Sequence, residues 1–175
     1  MYIPAEDSYL LAETVKTYSG EYALEIGVGT GIVLEKLCDS FAVVVGTDIN
    51  YRSLMYCRNN LARAIYLVCC DAASALTGKF DLIVTNPPYI PQDNIRITDS
   101  AIYGGSSGFE LALRFMTSSV SLLNGEGKML TVLSDLSKTR RMISITDEMN
   151  LDVRVVKKKK IFFETLYVFE ISKRV

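Results

Sequence analysis

The feature of the sequence that most constrains the fold is a regular alternation of short β-rich runs with helical segments, beginning near Glu21. Such alternation is typical of an α/β domain, because neighbouring parallel strands need a crossover connection that is usually helical. The pattern predicts strands at residues 22–26, 42–47, 65–70, 80–85, 128–134, 151–157 and 162–171. It predicts helices at residues 7–18, 32–40, 51–64, 109–124 and 137–150.

The character of the strands predicts how the sheet is built. Ala42-Val43-Val44-Val45 and Leu82-Ile83-Val84 are continuously apolar, which is typical of parallel strands covered by helices on both faces. The last two strands have no helix between them, so we expect an antiparallel hairpin at the C-terminal end of a mostly parallel, seven-stranded sheet. A chain of 175 residues can bury one core, and we expect a single domain over residues 1–175.

Composition excludes several kinds of chemistry. The chain has no histidine, so nucleophilic schemes that depend on a Ser-His or Cys-His pair are excluded. The four cysteines show no CxxC spacing, so we expect free thiols and no metal site. A formal net charge of −1 argues against duplex nucleic acid as a partner. Without an apolar run long enough to span a bilayer, or a recognisable signal peptide, we expect a cytoplasmic protein without membrane contact.

A glycine-rich segment, Glu25-Ile26-Gly27-Val28-Gly29-Thr30-Gly31, follows the first predicted strand and leads into a helix. Its glycines permit a tight turn and let a ligand approach the backbone closely, because no Cβ intervenes. The G-x-G-x-G spacing differs from the G-x-G-x-x-G of dinucleotide sites, which disfavours NAD. We therefore predict a cofactor loop that includes Glu25, Gly27, Gly29 and Gly31.

Two further acids follow predicted strands at the same edge of the sheet. Asp48, within Thr47-Asp48-Ile49-Asn50, lies at the distance from the glycines at which an acid meets a ribose. Asp71 and Ala72 follow the third strand, where an acid would suit an adenine amino group. Together with Glu25, these acids would repel a pyrophosphate but suit a ligand with an ammonium, a sulfonium and ribose hydroxyls. We therefore predict S-adenosylmethionine as the cofactor, with Ile49 also in its site.

The segment Asn86-Pro87-Pro88-Tyr89 follows the fourth predicted strand and reaches the same edge. Its prolines stiffen the backbone and remove two N–H donors, which leaves carbonyl oxygens as rigid acceptors. An amide or aromatic amine is a poor nucleophile because its lone pair is delocalised, and two accepted hydrogen bonds would orient it. We predict that the Asn86 side-chain oxygen and the Pro87 backbone oxygen accept these bonds while Tyr89 stacks on the planar group.

These motifs resemble those of the HemK/PrmC glutamine methyltransferases, most closely their short archaeal and eukaryotic branch. Besides the glycine loop, T-D-I-N and N-P-P-Y, the likeness includes Tyr2-Ile3-Pro4-Ala5-Glu6-Asp7-Ser8-Tyr9-Leu10-Leu11 and Gly104-Gly105-Ser106-Ser107-Gly108-Phe109-Glu110. It spans residues 2 to about 135. The resemblance implies the class I methyltransferase fold, which is Rossmann-like with helices on both faces of the sheet.

The resemblance also implies an activity. It is N5-methylation of the glutamine in the Gly-Gly-Gln motif of class I release factors, with S-adenosylmethionine as donor. Members of this branch often pair with a small zinc-binding activator protein, so a heterodimer is a further expectation. Carried over by position, the cofactor would be lined by Ser8, Glu25, Gly27, Asp48, Asp71, Ala72 and Asn86, and the glutamine held by Asn86, Pro87 and Tyr89.

Other interpretations stay open at this point. Adenine presents the same planar N–H₂ group, so N6-adenine methylation of DNA or RNA is the main alternative, which the near-neutral charge disfavours. A non-catalytic scaffold that binds S-adenosylmethionine is an alternative of another class, and the intact N-P-P-Y segment argues against it. An NAD-dependent oxidoreductase is disfavoured by the glycine spacing.

Two segments have no assigned role in this chemistry. The four lysines at residues 157–160 are interpreted as a solvated strand end or turn, with a docking patch for an acidic partner or RNA as the alternative. Residues 92–107 are interpreted either as a loop that gates the substrate or as a plain surface excursion.

Overall fold

The computed structural model of the chain describes residues 3–90 and 107–174. The strands are β1 (Gly20–Ile26), β2 (Phe41–Asp48), β3 (Tyr66–Cys69), β4 (Phe80–Thr85), β5 (Leu123–Ser134), β6 (Leu151–Lys160) and β7 (Thr165–Lys173). The α-helices are α1 (Glu6–Val15), α2 (Ile32–Leu37), α3 (Tyr51–Asn60), α4 (Glu110–Ser119) and α5 (Thr139–Glu148). The loop interpreted over residues 92–107 lies outside the described residues except for Ser107.

The described strands form one seven-stranded sheet in the order β3-β2-β1-β4-β5-β7-β6. Strands β1 to β5 run parallel to one another, and β7 is antiparallel to both β5 and β6. The predicted mostly parallel sheet with a C-terminal antiparallel hairpin is therefore confirmed. Strands β2 and β4 lie on opposite sides of β1, so the strand order reverses beside β1. Open α/β sheets bind ligands outside the carboxyl ends of their strands at such a reversal.

Buried apolar side chains form two clusters, as a sheet covered on both faces requires. Leu11 of α1 and Leu34 of α2 belong to one cluster, and Met116 of α4 belongs to the other. Successive side chains of a strand point to opposite faces of the sheet. Ala23 of β1 therefore belongs to the first cluster and Leu24 to the second. The central strands are continuously apolar in sequence because both of their faces are buried.

The predicted elements are present, but several ends differ. Helix α3 ends at Asn60 rather than at residue 64, and α4 ends at Ser119, where a short 3₁₀ turn over Val120–Leu122 follows. Strand β5 therefore begins at Leu123 rather than at residue 128. Apolar periodicity extends across such junctions, so it does not show where the backbone hydrogen bonding changes.

The hairpin between β6 and β7 corrects one prediction. The four lysines lie within β6, which ends at Lys160, and β7 begins at Thr165 rather than at residue 162. The turn is closed at 2.9 Å by the Ile161 N–H, which donates to the Glu164 carbonyl oxygen, so Phe162 and Phe163 stand at its tip. Lysines are tolerated in this strand because β6 is the edge of the sheet and its side chains reach solvent.

A buried carboxylate on β7 ties the segment that follows α1 to the sheet. Glu170 is 3% exposed and accepts hydrogen bonds from the Tyr18 hydroxyl at 2.6 Å and from Arg154 Nε at 2.8 Å. Burial acts to raise the pKa of Glu170, but the hydrogen bonds from Arg154 and Tyr18 outweigh it and lower the pKa below its ordinary value. This contact holds α1 in place, and α1 carries Ser8 to the edge where the strands end.

We expect Tyr18→Phe to lower the free energy of unfolding by about 2 kcal/mol at neutral pH, because it removes a hydrogen bond to a buried carboxylate. The pKa of Glu170 is lowered on folding, so its contribution is present above the unfolded pKa and is lost as pH falls through the folded pKa. Urea unfolding at neutral and acidic pH measures both effects. Glu126→Gln, at an exposed position, is the control, and a Tyr18→Phe variant as stable as the native chain would contradict the assignment.

Candidate active site

The carboxyl ends of three central strands lie level at one edge of the sheet. Ile26 of β1 is in register with Thr47 of β2 and Thr85 of β4. The Thr85 hydroxyl donates to the Ile26 carbonyl at 3.0 Å, and the Gly27 N–H donates to the Thr47 carbonyl at 2.8 Å. A cavity of about 310 Å³ opens where these strand ends meet.

The cavity brings together most of the residues predicted from sequence. They come from the carboxyl ends of β1 and β2, from the loops that follow β1, β2 and β4, and from the first turn of α1. Its lining includes Ser8, Glu25, Gly27, Gly29, Asp48, Ile49, Asn86, Pro87 and Tyr89.

Three predicted cofactor residues lie outside this lining. The Asp71 carboxylate forms an ion pair with Arg114 of α4. Ala72 is 8% exposed and belongs to an apolar cluster, with a left-handed φ of 50°. Gly31 packs against α3, since a Cβ there would lie 2.9 Å from Cys57 Sγ. A cofactor contact at any of these three residues stays a prediction.

The glycine loop leaves space for a ligand at two positions. Gly27 and Gly29 have φ values of +78° and +51°, which disfavour residues with a side chain. A Cβ built at either position meets no described atom within 4 Å. Both glycines line the cavity, so a ligand can approach the backbone closely here.

Asp48 holds the glycine loop in place and can still accept hydrogen bonds from a ligand in the cavity. Its Oδ2 accepts from the Gly29 N–H at 3.1 Å and its Oδ1 accepts from the Asn50 N–H at 2.8 Å. Each carboxylate oxygen has a second lone pair, so the side chain can accept further hydrogen bonds from hydroxyl groups of a ligand.

Glu25 is a buried acid with an unused oxygen. It is 3% exposed, and its Oε2 has no hydrogen-bond partner within residues 3–90 and 107–174. Burial raises the pKa of Glu25 well above its ordinary value; a backbone hydrogen bond from Leu34 opposes the shift and the charge of Asp48 adds to it. A buried carboxylate of this kind favours a cationic ligand group, because an opposite charge offsets the cost of burying the carboxylate.

The Asn86 amide is held in one orientation by α1. Its Nδ2 donates to the Ser8 hydroxyl at 3.2 Å, and that hydroxyl donates to Asp7 Oδ1 at 3.2 Å. The Asn86 Oδ1 atom is buried and has no hydrogen-bond partner in the described part of the chain. The side chain therefore has an unused acceptor at the cavity, and its predicted role toward a substrate stays a prediction.

The rest of the Asn86–Tyr89 segment, the N-P-P-Y corner, is anchored by residues that precede α5. The buried Ser137 hydroxyl donates to the Tyr89 carbonyl at 2.7 Å. The next residue, Lys138, donates its N–H to the Ser107 carbonyl at 3.1 Å, and the Ser107 N–H donates to Glu110 Oε1 at 2.8 Å. The N-P-P-Y corner is thus braced by the segment that precedes α5.

Sequence reasoning missed several residues of the site. Asp7 accepts a hydrogen bond from the Ser8 hydroxyl, and Ser137 donates one to the Tyr89 carbonyl. No sequence motif indicated these contacts. Leu111 and Phe115 form part of the cavity wall. Their i, i+4 spacing indicates one face of a helix, but not which cavity that face covers.

Two absences hold for the described residues. No three Cys, Asp or Glu side chains among them are grouped so that they could hold a metal ion. None of the helices described for residues 3–90 and 107–174 is both long and apolar enough to cross a membrane.

The sheet topology and the polar corner at its carboxyl edge define a class I methyltransferase. Residues 6–163 match the family described as Methyltransferase small domain, and the chain belongs to this family. The resemblance to the HemK/PrmC-type glutamine methyltransferases is confirmed by the relatives.

Two relatives align over nearly the whole chain. A protein of Methanocaldococcus jannaschii, provisionally named a protein N5-glutamine methyltransferase, is 32% identical over 96% of this chain and 89% of its own length. Methyltransferase HEMK2 of Homo sapiens is 30% identical over 99% of this chain and 90% of its own length.

One solved structure is also similar over its full length. A chain of the E. cuniculi Mtq2-Trm112 complex has a TM-score of 0.78 and 28% identity, covering 98% of both chains. That complex is described as responsible for the methylation of the eRF1 translation termination factor.

We expect Glu25→Gln to raise the free energy of unfolding of the ligand-free protein by about 1 kcal/mol at neutral pH, because burial disfavours the charged form of this carboxyl group and a glutamine cannot ionise. The pKa of Glu25 is raised on folding, so the native chain loses stability as pH rises from the unfolded pKa toward the folded one. The Glu25→Gln variant should not show this pH-dependent loss of stability. Urea unfolding over that pH range measures it, with Glu35→Gln at an exposed position of α2 as control. Lower stability of Glu25→Gln at neutral pH would contradict the argument.

Proposed function

We propose that this chain transfers a methyl group from S-adenosylmethionine to the side-chain nitrogen of the glutamine in the Gly-Gly-Gln motif of a class I release factor. The observation that carries the proposal is the Asn86 Oδ1 atom, a buried acceptor without a partner among the described residues, held at the cavity by Ser8. The relatives support a glutamine acceptor, since they are named for glutamine or eRF1 methylation.

The cavity residues fit the proposed cofactor. Glu25 would hold the ammonium of the methionine part, and Asp48 would accept from the ribose hydroxyls. Gly27 and Gly29 would let the cofactor approach the backbone, because no Cβ lies in its way. When bound, S-adenosylmethionine supplies a methyl group on a sulfonium, which makes that carbon electrophilic.

The corner would position the acceptor amide. Asn86 Oδ1 and the Pro87 carbonyl would each accept one hydrogen bond from its N–H₂ group, and the Tyr89 ring would stack on its plane. These contacts would direct the nitrogen toward the methyl carbon for in-line displacement. The proton can leave after transfer, so positioning and electrostatics provide the acceleration and no side chain of the corner need act as a base.

We also propose a small partner subunit and a cytoplasmic location. Support for the partner is the E. cuniculi structure, in which a chain similar to this one over 98% of its length belongs to a two-protein complex. The zinc-binding character of such a partner is implied by the family resemblance alone. Support for the location is the proposed substrate, which acts in translation.

We expect Asn86→Ala to abolish methylation, with kcat reduced by about 10³-fold or more, while cofactor affinity falls only slightly, because the lost acceptor acts mainly on the glutamine. The measurement is transfer of labelled methyl from S-adenosylmethionine to a release factor, with cofactor binding followed by calorimetry. The control substrate is the same release factor with its Gly-Gly-Gln glutamine changed to alanine, which should take no label.

Two outcomes would contradict the proposal. Turnover by Asn86→Ala at the native rate would remove Asn86 from the chemistry. Label on adenine-containing DNA or RNA, with none on the release factor, would replace the proposed activity with N6-adenine methylation.

We expect Asp48→Ala to weaken S-adenosylmethionine binding by about tenfold or more, because the ribose hydroxyls lose a charged acceptor and the Gly29 loop loses its anchor. Calorimetric titration of the native chain, Asp48→Ala and Asp48→Asn measures the loss. Asp39→Ala, which removes an exposed acid outside the cavity, is the control. Equal affinity of Asp48→Ala and the native chain would overturn the ribose assignment.

A further inference from the structure

The tip of the β6–β7 hairpin exposes two adjacent aromatic side chains. Phe162 is 98% exposed and Phe163 is 95% exposed, and their ring centroids lie 6.5 Å apart. A cleft of about 610 Å³ lies beside them, and its lining includes Glu6 and Lys160. Neighbouring exposed aromatics of this kind mark an interaction surface more often than isolated exposed apolar residues do.

The hairpin tip projects from the same edge of the sheet at which the active-site cavity opens. Thr131 of β5 is in register with Thr85, at the end of β4, and β5 continues from there to Ser134. Ser134 pairs with Leu166 near the start of β7, so the turn that precedes β7 lies beyond the carboxyl ends of the parallel strands. A macromolecule that inserts a side chain into the cavity must approach from this edge.

The tip is also connected directly to the rim of the cavity. Lys159 forms an ion pair with Glu6, the first residue of α1. The two residues that follow Glu6 are Asp7 and Ser8, which line the cavity, and Pro4 on the preceding segment also lines it. The cleft at the tip and the active-site cavity therefore both border the beginning of α1.

The charge of the hairpin limits what can bind there. Residues 157–160 are four consecutive, exposed lysines, in a chain whose formal net charge is −1. Lysines on an edge strand protect the sheet from pairing with other strands, which explains their presence on β6. That protection does not explain two phenylalanines at the tip. Aromatic side chains next to lysines fit an acidic protein surface that also offers an apolar pocket.

We propose that the β6–β7 tip is the docking surface for the protein that accepts the methyl group, with Phe162 and Phe163 in an apolar pocket of that protein and Lys160 beside its acidic residues. The inference rests on the proposed function, because it requires a folded protein as the substrate. Contacts at the tip would be equally strong before and during the transfer step, so docking there would increase affinity for the whole protein and leave the transfer step unchanged.

The test compares the intact release factor with a short Gly-Gly-Gln peptide as substrates of the full chain. We expect Phe162→Ser/Phe163→Ser to raise KM for the intact protein about tenfold or more with kcat unchanged, and to leave KM for the peptide unchanged. We expect Lys160→Glu to raise KM for the intact protein as well. Ile143→Ser on α5 and Arg58→Glu on α3 are matched controls at exposed positions outside both cavities.

The outcomes separate the two proposals. If the native chain, assayed together with the partner subunit proposed above, labels no release factor, the proposed function fails and the docking inference fails with it. If the native chain labels the release factor and the double variant has the same KM, the docking inference alone is overturned, including when the tip instead binds RNA. Equal losses with the intact protein and the peptide would also overturn it, because they would show that the tip supports the cavity and does not dock a partner.

Discussion

The parallel register that brings the ends of β1, β2 and β4 to one level is the constraint on which the site depends. Gly27 and Asn86 follow directly after β1 and β4, and Asp48 is the last residue of β2, so their side chains or backbones meet only if the strand ends are aligned. Hydrogen bonds from Thr85 and Gly27 across the strand ends hold that alignment. A register slip of one residue would turn the strand side chains to the opposite face and separate the groups of the site.

The site contains buried polar atoms that have no hydrogen-bond partner in the described part of the chain. Glu25 Oε2 and Asn86 Oδ1 are both buried and unpaired among the described residues. Each such atom costs folding free energy, and each would regain it only from a ligand of complementary charge or hydrogen-bonding type. Asn86 cannot simply rotate its amide, because its nitrogen is engaged by Ser8. The site is therefore organised before any ligand arrives, which is the condition for positioning to accelerate a reaction.

The sequence was sufficient to predict the sheet and the groups that directly follow its strands, because strand, turn and polar residue are contiguous in these segments. It was insufficient where a contact joins distant segments. Ser137 reaches Tyr89 from another part of the chain, and Asp71 pairs with Arg114 on α4, outside the cavity lining. The position of the hairpin tip was also missed, since lysines are poor indicators of a strand, and only the place of β6 at the sheet edge shows why they occur in one.

The fixed orientation of the Asn86 amide has a consequence for selectivity in the proposed reaction. A primary amide has two N–H bonds to share between the oxygens of Asn86 and Pro87, whereas a glutamate carboxylate in the same place would set oxygen against oxygen and be repelled. An amide that already carries one methyl has a single N–H left, so one of the two oxygens would lose its donor. In the proposed reaction, the corner would therefore discriminate against the deamidated form of the glutamine and against a second methylation.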